Sequence, residues 1–513
     1  MRHKRTRFLP AVCIRDTSEG PLTYHQQMLP SARRLIELFL AVGFLIQIAS
    51  AIDAPTQPKA PAKLLPTGQI VDSVPCAGDP TQDYAIYLPS TYTSTKAWPI
   101  IYTFDPLGFG KGPVKLYKDI AEKYGYIIVA SNQSRNFQTS VASKAARAVW
   151  DDTHSRLTLD SRRIYMMGFS GGARVATMMA IRCQACAVAG VISHGAGYPF
   201  PPSNNEHFAY FAFVGDKDFN WSEAIELKRK KEEWNAPYHL KVFDGEHQWA
   251  PPAIFEEAIE WLQLKAMQAG VVAPDPSFLD SLFAKTQKNA QNAAQQKDAI
   301  AQSEAYRTLA ADFAGLKDVT EFQAKLTALK DSAEYKQALR KEQQAIDQQR
   351  DITQELSSKF AQAGDADVDD QLSLREAIVK GMTQLKYNAD HGRNQETRLI
   401  MTRSFNDLWA QGIEAGQDEL ETKKQFGKAE FYFQLMRTVS PDDPWPVLLL
   451  AESRAVRGDK KHALKDLRDA VKLGLKNPDF IRENANLQNL NSDPEFQQII
   501  AELKAKRDAQ APQ

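Results

Sequence analysis

The run Ile164-Tyr-Met-Met-Gly-Phe-Ser170-Gly-Gly-Ala-Arg-Val-Ala176 constrains this chain more than any other stretch. A short apolar segment, Ile164 to Met167, meets Gly168-Phe169-Ser170-Gly171-Gly172, and a segment of helical character runs from Ala173 to Arg182. The pattern reads as strand, sharp turn and helix, with Gly-x-Ser-x-Gly at the turn. Glycines two positions either side of the serine let strand and helix pass close together. The turn holds the serine in a strained conformation that pushes its hydroxyl out at the C-terminal edge of a sheet. The next amide, Gly171 N–H, then points to where an oxyanion would form. The five-residue pattern alone is loosely defined, and a Gly-rich turn with an ordinary serine is the bland alternative. The downstream sequence separates the two.

Around this run, apolar segments alternate with helical patterns. Asp83–Leu88 alternates like a half-buried strand. Pro99–Phe104, Tyr126–Ala130, Arg163–Met167, Val188–Ser193, Ala209–Val214 and His239–Phe243 read as buried strands. Helices are expected at Val114–Tyr124, Ser140–Leu157, Gly171–Arg182, Ser222–Trp234 and Ala253–Met267. Such alternation predicts a mostly parallel sheet covered on both faces. In that architecture, functional groups gather at the C-terminal strand ends. Gly215-Asp-Lys-Asp218-Phe219 follows Val214, and Asp244-Gly-Glu-His247-Gln-Trp249 follows Phe243. A serine, an aspartate and a histidine therefore occupy three strand-end loops in that order. A serine hydroxyl is a poor nucleophile at neutral pH, so an imidazole must take its proton. A carboxylate must hold that imidazole in the right tautomer. Asp216 and Asp218 both qualify on position.

Ser170 in Gly-Phe-Ser-Gly-Gly, Asp218 in Gly-Asp-Lys-Asp and His247 in Gly-Glu-His resemble the α/β-hydrolase superfamily. The resemblance covers roughly residues 80–268. It is nearest to small secreted esterases of the feruloyl esterase and polyhydroxybutyrate-depolymerase-like kind, and Leu159–Ser170 is similar to their approach to the nucleophile. It implies an acyl-enzyme mechanism with Ser170 as nucleophile, His247 as general base then acid, and Asp218 orienting His247. The acid in that superfamily usually sits three residues after such a glycine, which selects Asp218 over Asp216. It also implies an oxyanion hole of Gly171 and a second amide from the loop after Phe104. That loop departs from the superfamily's common His-Gly and reads Asp105-Pro106-Leu107-Gly108. Pro106 has no N–H, so Leu107 or Gly108 is the expected second donor. Asp105 either shapes the loop or is an ordinary turn residue. His194, Tyr198 and Trp249 are candidate substrate-contacting residues, with core packing as the plain alternative for each. No large insertion separates Ser193 from Val214, which predicts an open cleft for modest-sized substrates.

The chain of 513 residues is too long for a single core. Lys+Arg and Asp+Glu balance at 63 each, which gives no argument for nucleic acid or an acidic partner. Arg33-Arg34 and the apolar run Leu35–Ala51, ending Ala49-Ser50-Ala51, read as a secretory signal peptide, with the natural start possible at Met28. An uncleaved membrane anchor is the rival reading. The expected location is the periplasm or the exterior. Of Cys13, Cys76, Cys183 and Cys186, the pair in Cys183-Gln-Ala-Cys186 is better explained as a structural bridge or buried thiols than as a zinc or redox site.

After Pro276 strand patterns vanish and Ala, Gln, Lys and Glu dominate. Long helices are expected at Ser277–Leu309 and Ser332–Ala361, with a capping box at Asp318-Val-Thr-Glu321. Ala429, Phe433, Met436 and Pro441 share a register, 34 residues apart, with Ala463, Leu467, Ala470 and Leu475. That period resembles tetratricopeptide repeats over about residues 410–478, which implies a concave face for a protein or peptide partner. A helical brace docked on the first domain is the alternative. The expected organisation is a signal peptide (1–51), a linker (52–66), an α/β-hydrolase domain (67–268), a helical region (269–409) and a helical-repeat domain with a cap (410–513). The expected function is an exported serine hydrolase acting on a small-molecule carboxylic ester without metal or organic cofactor. Its rivals are a serine peptidase of the same fold and a non-catalytic scaffold acting through the helices.

Overall fold

A computed structural model describes residues 65–136 and 139–510. Cys13, Met28, Arg33, Arg34 and the apolar run to Ala51 lie outside the described residues. The described residues all belong to one compact unit. Eight strands form one sheet: β1 (Ile70–Cys76), β2 (Asp79–Tyr87), β3 (Trp98–Phe104), β4 (Ile127–Ser131), β5 (Leu159–Phe169), β6 (Gly190–His194), β7 (Ala209–Gly215) and β8 (Tyr238–Phe243). Their spatial order is β1-β2-β4-β3-β5-β6-β7-β8. The β1–β2 and β2–β4 pairings are antiparallel, and every pairing from β4–β3 to β7–β8 is parallel.

The inner parallel strands β3, β4, β6 and β7 and the second half of β5 are apolar because both faces are covered, whereas β8, expected to be a buried strand, is a partly exposed edge strand carrying His239 and Lys241. On one face Ile100, Tyr102, Phe104, Ile164 and Met166 pack against the helices Thr139–Arg156, Gly171–Arg182 and Trp221–Glu233. On the other, Ile101, Ile128, Tyr165 and Met167 meet the helices Lys111–Tyr124 and Pro252–Gln268. This is the α/β-hydrolase fold class expected from the sequence, followed by an all-helical region. Strand β1 was not expected. It is a half-exposed edge strand carrying Pro75, so it lacks the apolar run that marks a buried one.

The helical region differs in detail from the sequence reading. The helix expected over Ser277–Leu309 is two, Pro276–Gln295 and Ala299–Arg307. Lys297 adopts φ 58° at the break, and the Asp298 carboxylate caps the second helix by accepting from Ala301 N–H at 2.9 Å. Asp318 accepts from Thr320 N–H at 3.1 Å, an Asx turn rather than a capping box. The helix Gln395–Glu421 runs unbroken through the boundary expected at residue 409. Ala429, Phe433 and Met436 of the helix Phe426–Val439 are fully buried, as are Ala463, Leu467 and Ala470 of the helix Lys460–Lys472.

The helical region is packed onto the sheet layers. Leu264 and Met267, on the last helix of the sheet domain, share a cluster with Leu279, Leu309, Phe313, Val319 and Phe322. His239 Nε2 meets Asp312 Oδ2 at 2.7 Å, Arg350 donates to Glu226 at 2.8 Å, and Arg229 donates to Glu342 at 2.8 Å. Phe313 is fully buried at this junction, edge-on to Phe283 at 5.0 Å. Phe313→Ala is expected to cost about 3–5 kcal/mol, read as a lower urea midpoint. A midpoint unchanged from wild type would show that the junction does not contribute to stability.

Candidate active site

Ser170 stands between β5 and the following helix with φ 52° and ψ −125°. A non-glycine residue in such a conformation costs of order 1–3 kcal/mol and persists only where its surroundings enforce it. Here the enforcement is direct. Ser170 N–H donates to the His194 carbonyl at 2.8 Å, and the Ser170 carbonyl accepts from Ala173 and Arg174 at 3.0 and 3.2 Å. A Cβ on Gly172 would lie 2.1 Å from the Phe104 carbonyl oxygen, and one on Gly168 would lie 2.3 Å from the Gly172 backbone. Strand and helix therefore touch backbone to backbone, and the serine is held at the tip.

Asp218 follows β7 and His247 follows β8. Both Asp218 carboxylate oxygens lie 3.0 Å from His247 Nδ1, and Asp218 is fully buried. Asn220 N–H donates to Asp218 Oδ1 at 2.9 Å, while the Asn220 carboxamide donates to the Gly195 carbonyl at 2.7 Å. Asp216 is engaged elsewhere, accepting from Gly245 N–H at 3.1 Å. The imidazole of His247 contacts the rings of Phe169 and Phe219, with centroids 4.6 and 4.3 Å away. With Nδ1 facing Asp218, Nε2 remains for proton transfer. Ser170 and His247 line one cavity, though among the described residues no hydrogen bond joins them. Catalytic hydrogen bonds are often long in unliganded sites and tighten around substrate.

Sequence reasoning missed the two phenylalanines and Gly195. Phe169 is the first variable residue of the Gly-x-Ser-x-Gly pattern, and Phe219 follows Asp218 directly. Gly195 takes φ 61°, and a Cβ there would lie 2.9 Å from Asp218 Oδ2 and 3.0 Å from His247 Nδ1. The signal available was its place one residue beyond the His194 strand end.

The loop after β3 is organised by Asp105. Its carboxylate accepts from Leu107 N–H at 2.9 Å and Phe109 N–H at 3.2 Å, and its carbonyl accepts from Gly108 N–H at 3.2 Å. Burial pushes this carboxyl's pKa upward, opposed by those amides and by the Trp249 indole. Asp105 thus shapes the loop. Leu107 and Gly108, the expected second oxyanion donors, line the cavity with Ser170, but both direct their amides to Asp105.

The three candidate substrate-contacting residues are also corrected. None lines the cavity. His194 is fully buried between Phe213 and Trp249, with Nδ1 accepting from Ala250 N–H at 3.2 Å. Tyr198 belongs to the core and donates to Glu206 at 2.8 Å. Trp249 packs behind Phe169 and supports Asp105.

The expected open cleft is a walled one. A cavity of about 840 Å³ has Phe169, Ser170, Phe219 and His247 on one side and Trp409, Ile413, Trp445, Leu449 and Phe480 on the other. The second wall comes from the helical region, so a search for a lid between strands could not find it. Glu452 stands in this wall. It is held by the carboxamides of Asn484 and Asn486 at 2.7 and 2.9 Å, and burial pushes its pKa up to about 7. The helix Gln395–Glu421 also grips the loop before Asp218. Arg403 donates to the Asp216 carbonyl at 3.0 Å and covers the Trp221 ring, and Asn406 donates to the Lys217 carbonyl at 2.8 Å.

No family model matches the chain, and neither does any curated protein. Among solved structures it is similar to an S-formylglutathione hydrolase from Staphylococcus aureus, at 14% identity and TM-score 0.32, over 39% of this chain and 99% of that one. It is similar to a feruloyl esterase module from Clostridium thermocellum at 16% identity and TM-score 0.30, over 41% and 92% of the two chains. An esterase from Pyrobaculum calidifontis matches at 13% identity and TM-score 0.32, over 47% and 94%. The chemistry of the site stands on its own geometry.

The burial of His194 has a consequence for pH. Desolvation pushes its imidazole pKa down to about 3, against about 6.5 in an unfolded chain. The unfolded state therefore takes up a proton as pH falls below 6.5, while the folded state stays neutral down to about 3. Stability is lost across that window at up to about 1.4 kcal/mol per pH unit. His194→Asn, whose carboxamide oxygen can still accept from Ala250, should flatten the stability profile between pH 6 and 5. Parallel profiles for the two proteins would contradict this.

Proposed function

We propose that this chain is a serine hydrolase that cleaves a carboxylic ester through an acyl-enzyme intermediate. One observation carries the reading: the His247 imidazole is fixed by a buried carboxylate on Nδ1, in the cavity where strain presents the Ser170 hydroxyl. Substrate binding brings the ester carbonyl against Ser170. Oγ attacks the carbonyl carbon while His247 Nε2 takes its proton, and the Gly171 N–H stabilises the resulting oxyanion. The tetrahedral intermediate collapses, the C–O bond breaks, and His247 returns the proton to the departing alcohol. Water, deprotonated by the same imidazole, then attacks the acyl-enzyme and releases the acid. Asp218 stabilises the imidazolium in both halves.

The helical region serves this chemistry as brace and wall. Arg403 and Asn406 support that role, since both contact the Asp218 loop, and so do Trp409, Trp445 and Phe480, which line the cavity with Ser170. The helix pairs remain our candidate for tetratricopeptide-like repeats, with any partner-binding face additional to the docked one. Export fits the bond between Cys183 and Cys186, which an oxidising compartment would preserve.

With p-nitrophenyl acetate as substrate, Ser170→Ala should abolish turnover and labelling by a fluorophosphonate probe. Wild-type rates in that variant would end the proposal. Asp218→Asn should lower kcat by about 10⁴-fold through loss of the correct tautomer, while Asp216→Asn should change it only several-fold. The reverse order would assign the acid to Asp216.

A further inference from the structure

The loop after β3 leaves the oxyanion hole one donor short. Pro106 has no N–H, and the amides of Leu107, Gly108 and Phe109 all point back to Asp105. A tetrahedral oxyanion held by Gly171 N–H alone would lack a partner worth roughly 10²- to 10³-fold in rate. The missing donor must come from another element at the same rim.

Asn136, in the segment after β4, stands at that place. Its backbone N–H donates to the Pro106 carbonyl at 2.9 Å, and its neighbour Arg135 bridges Leu107 in antiparallel pairing. These contacts lock residue 136 to the Asp105 loop. Its carboxamide lies directly on Gly171, the residue that supplies the first donor. A Cβ built on Gly171 would fall 1.8 Å from Asn136 Oδ1, 2.6 Å from Cγ and 2.9 Å from Nδ2. Gly171 has no side chain, and the Asn136 carboxamide fills the volume one would take. Asn136 also lines the cavity with Ser170 and His247.

We infer that Asn136 is a catalytic residue whose carboxamide Nδ2–H₂ supplies the second hydrogen bond to the oxyanion, replacing the loop amide that Asp105 occupies. This rests on the serine-hydrolase reading above. The carboxamide oxygen of Asn136 cannot donate, so the productive orientation turns nitrogen toward the substrate. Such a donor acts on charge that exists only in the transition state, so its loss lowers kcat and leaves KM nearly unchanged.

The test uses the full chain with p-nitrophenyl acetate. Asn136→Ala should lower kcat by about 10²-fold or more, with KM within threefold of wild type. Asn136→Asp keeps the shape without the donor and should lose at least as much, which guards against misfolding of the alanine variant. Gly171→Ala should expel the carboxamide and cause a similar loss, and adding Asn136→Ala to it should cost little more. Normal kcat in both Asn136 variants, with Ser170→Ala inactive, would overturn the role of Asn136 and leave the hydrolase reading standing. Full activity in Ser170→Ala would remove both. A large rise in KM at constant kcat would assign Asn136 to ground-state binding and also overturn the donor.

Discussion

The arrangement depends on one contact: the helix after β5 pressed, backbone against backbone, onto the end of β3. Gly172 lies so near the Phe104 carbonyl that no side chain fits between. That closeness makes the turn sharp, and the sharp turn places Ser170 at positive φ. The strain is tolerated because β5 lies in the middle of the sheet, with β3 and β6 as neighbours and helices on both faces. A central strand buried twice over has nowhere to relax, so a cost of order 1–3 kcal/mol can be concentrated at one residue. The parallel register then matters. Phe169 pairs with His194, and β7 runs beside β6, so the loops carrying Ser170 and Asp218 emerge at the same rim.

The helical region is part of this construction rather than an appendage. Arg403 is largely buried, its guanidinium clamped between the Trp221 ring and the Asp216 carbonyl. Burial pushes its pKa down to about 10, which still leaves it charged at neutral pH. A charged group is left in so dry a place only where it has partners: Gln349 accepts from its Nε at 3.0 Å, and the Asp216 carbonyl ties it to the loop that carries Asp218. The same helix contributes Trp409 and Ile413 to the cavity wall. One element therefore both steadies the Asp218 loop and bounds the cavity.

What could be read from the sequence follows from what is local. The strands β3 to β7 were legible because burial on both faces writes a continuous apolar run, while β8, a part-exposed edge strand, was legible only through Leu240, Val242 and Phe243. The placing of Ser170, Asp218 and His247 at one rim was legible because each follows a strand, and the loops' chemistry is confined to a few residues. The cavity wall was not legible. Trp409, Trp445 and Phe480 are far from Ser170 along the chain, and nothing local distinguishes a helical aromatic facing a cleft from one facing a core. His194, Tyr198 and Trp249 failed for the opposite reason. They sit at strand ends where site residues collect, but the space around them is filled by Phe213, Tyr210 and Phe169.

The Asp105 loop shows a further limit and what lies behind it. A sequence states which residues own an N–H but not where each N–H points. Asp105 is buried, and a buried carboxylate must be met by donors. It takes them from its own loop and from Trp249, which makes that loop rigid and turns its amides inward. A loop rigidified this way cannot also present those amides to a substrate, because a backbone N–H well aligned on one acceptor has little left for another. Rigidity of the loop and donation by the loop are therefore alternatives. A chain that adopts the first must find its oxyanion donor on a neighbouring element. The carboxamide resting on Gly171 is a group of the right chemistry at the right rim, and the absent side chain at residue 171 is the space it requires.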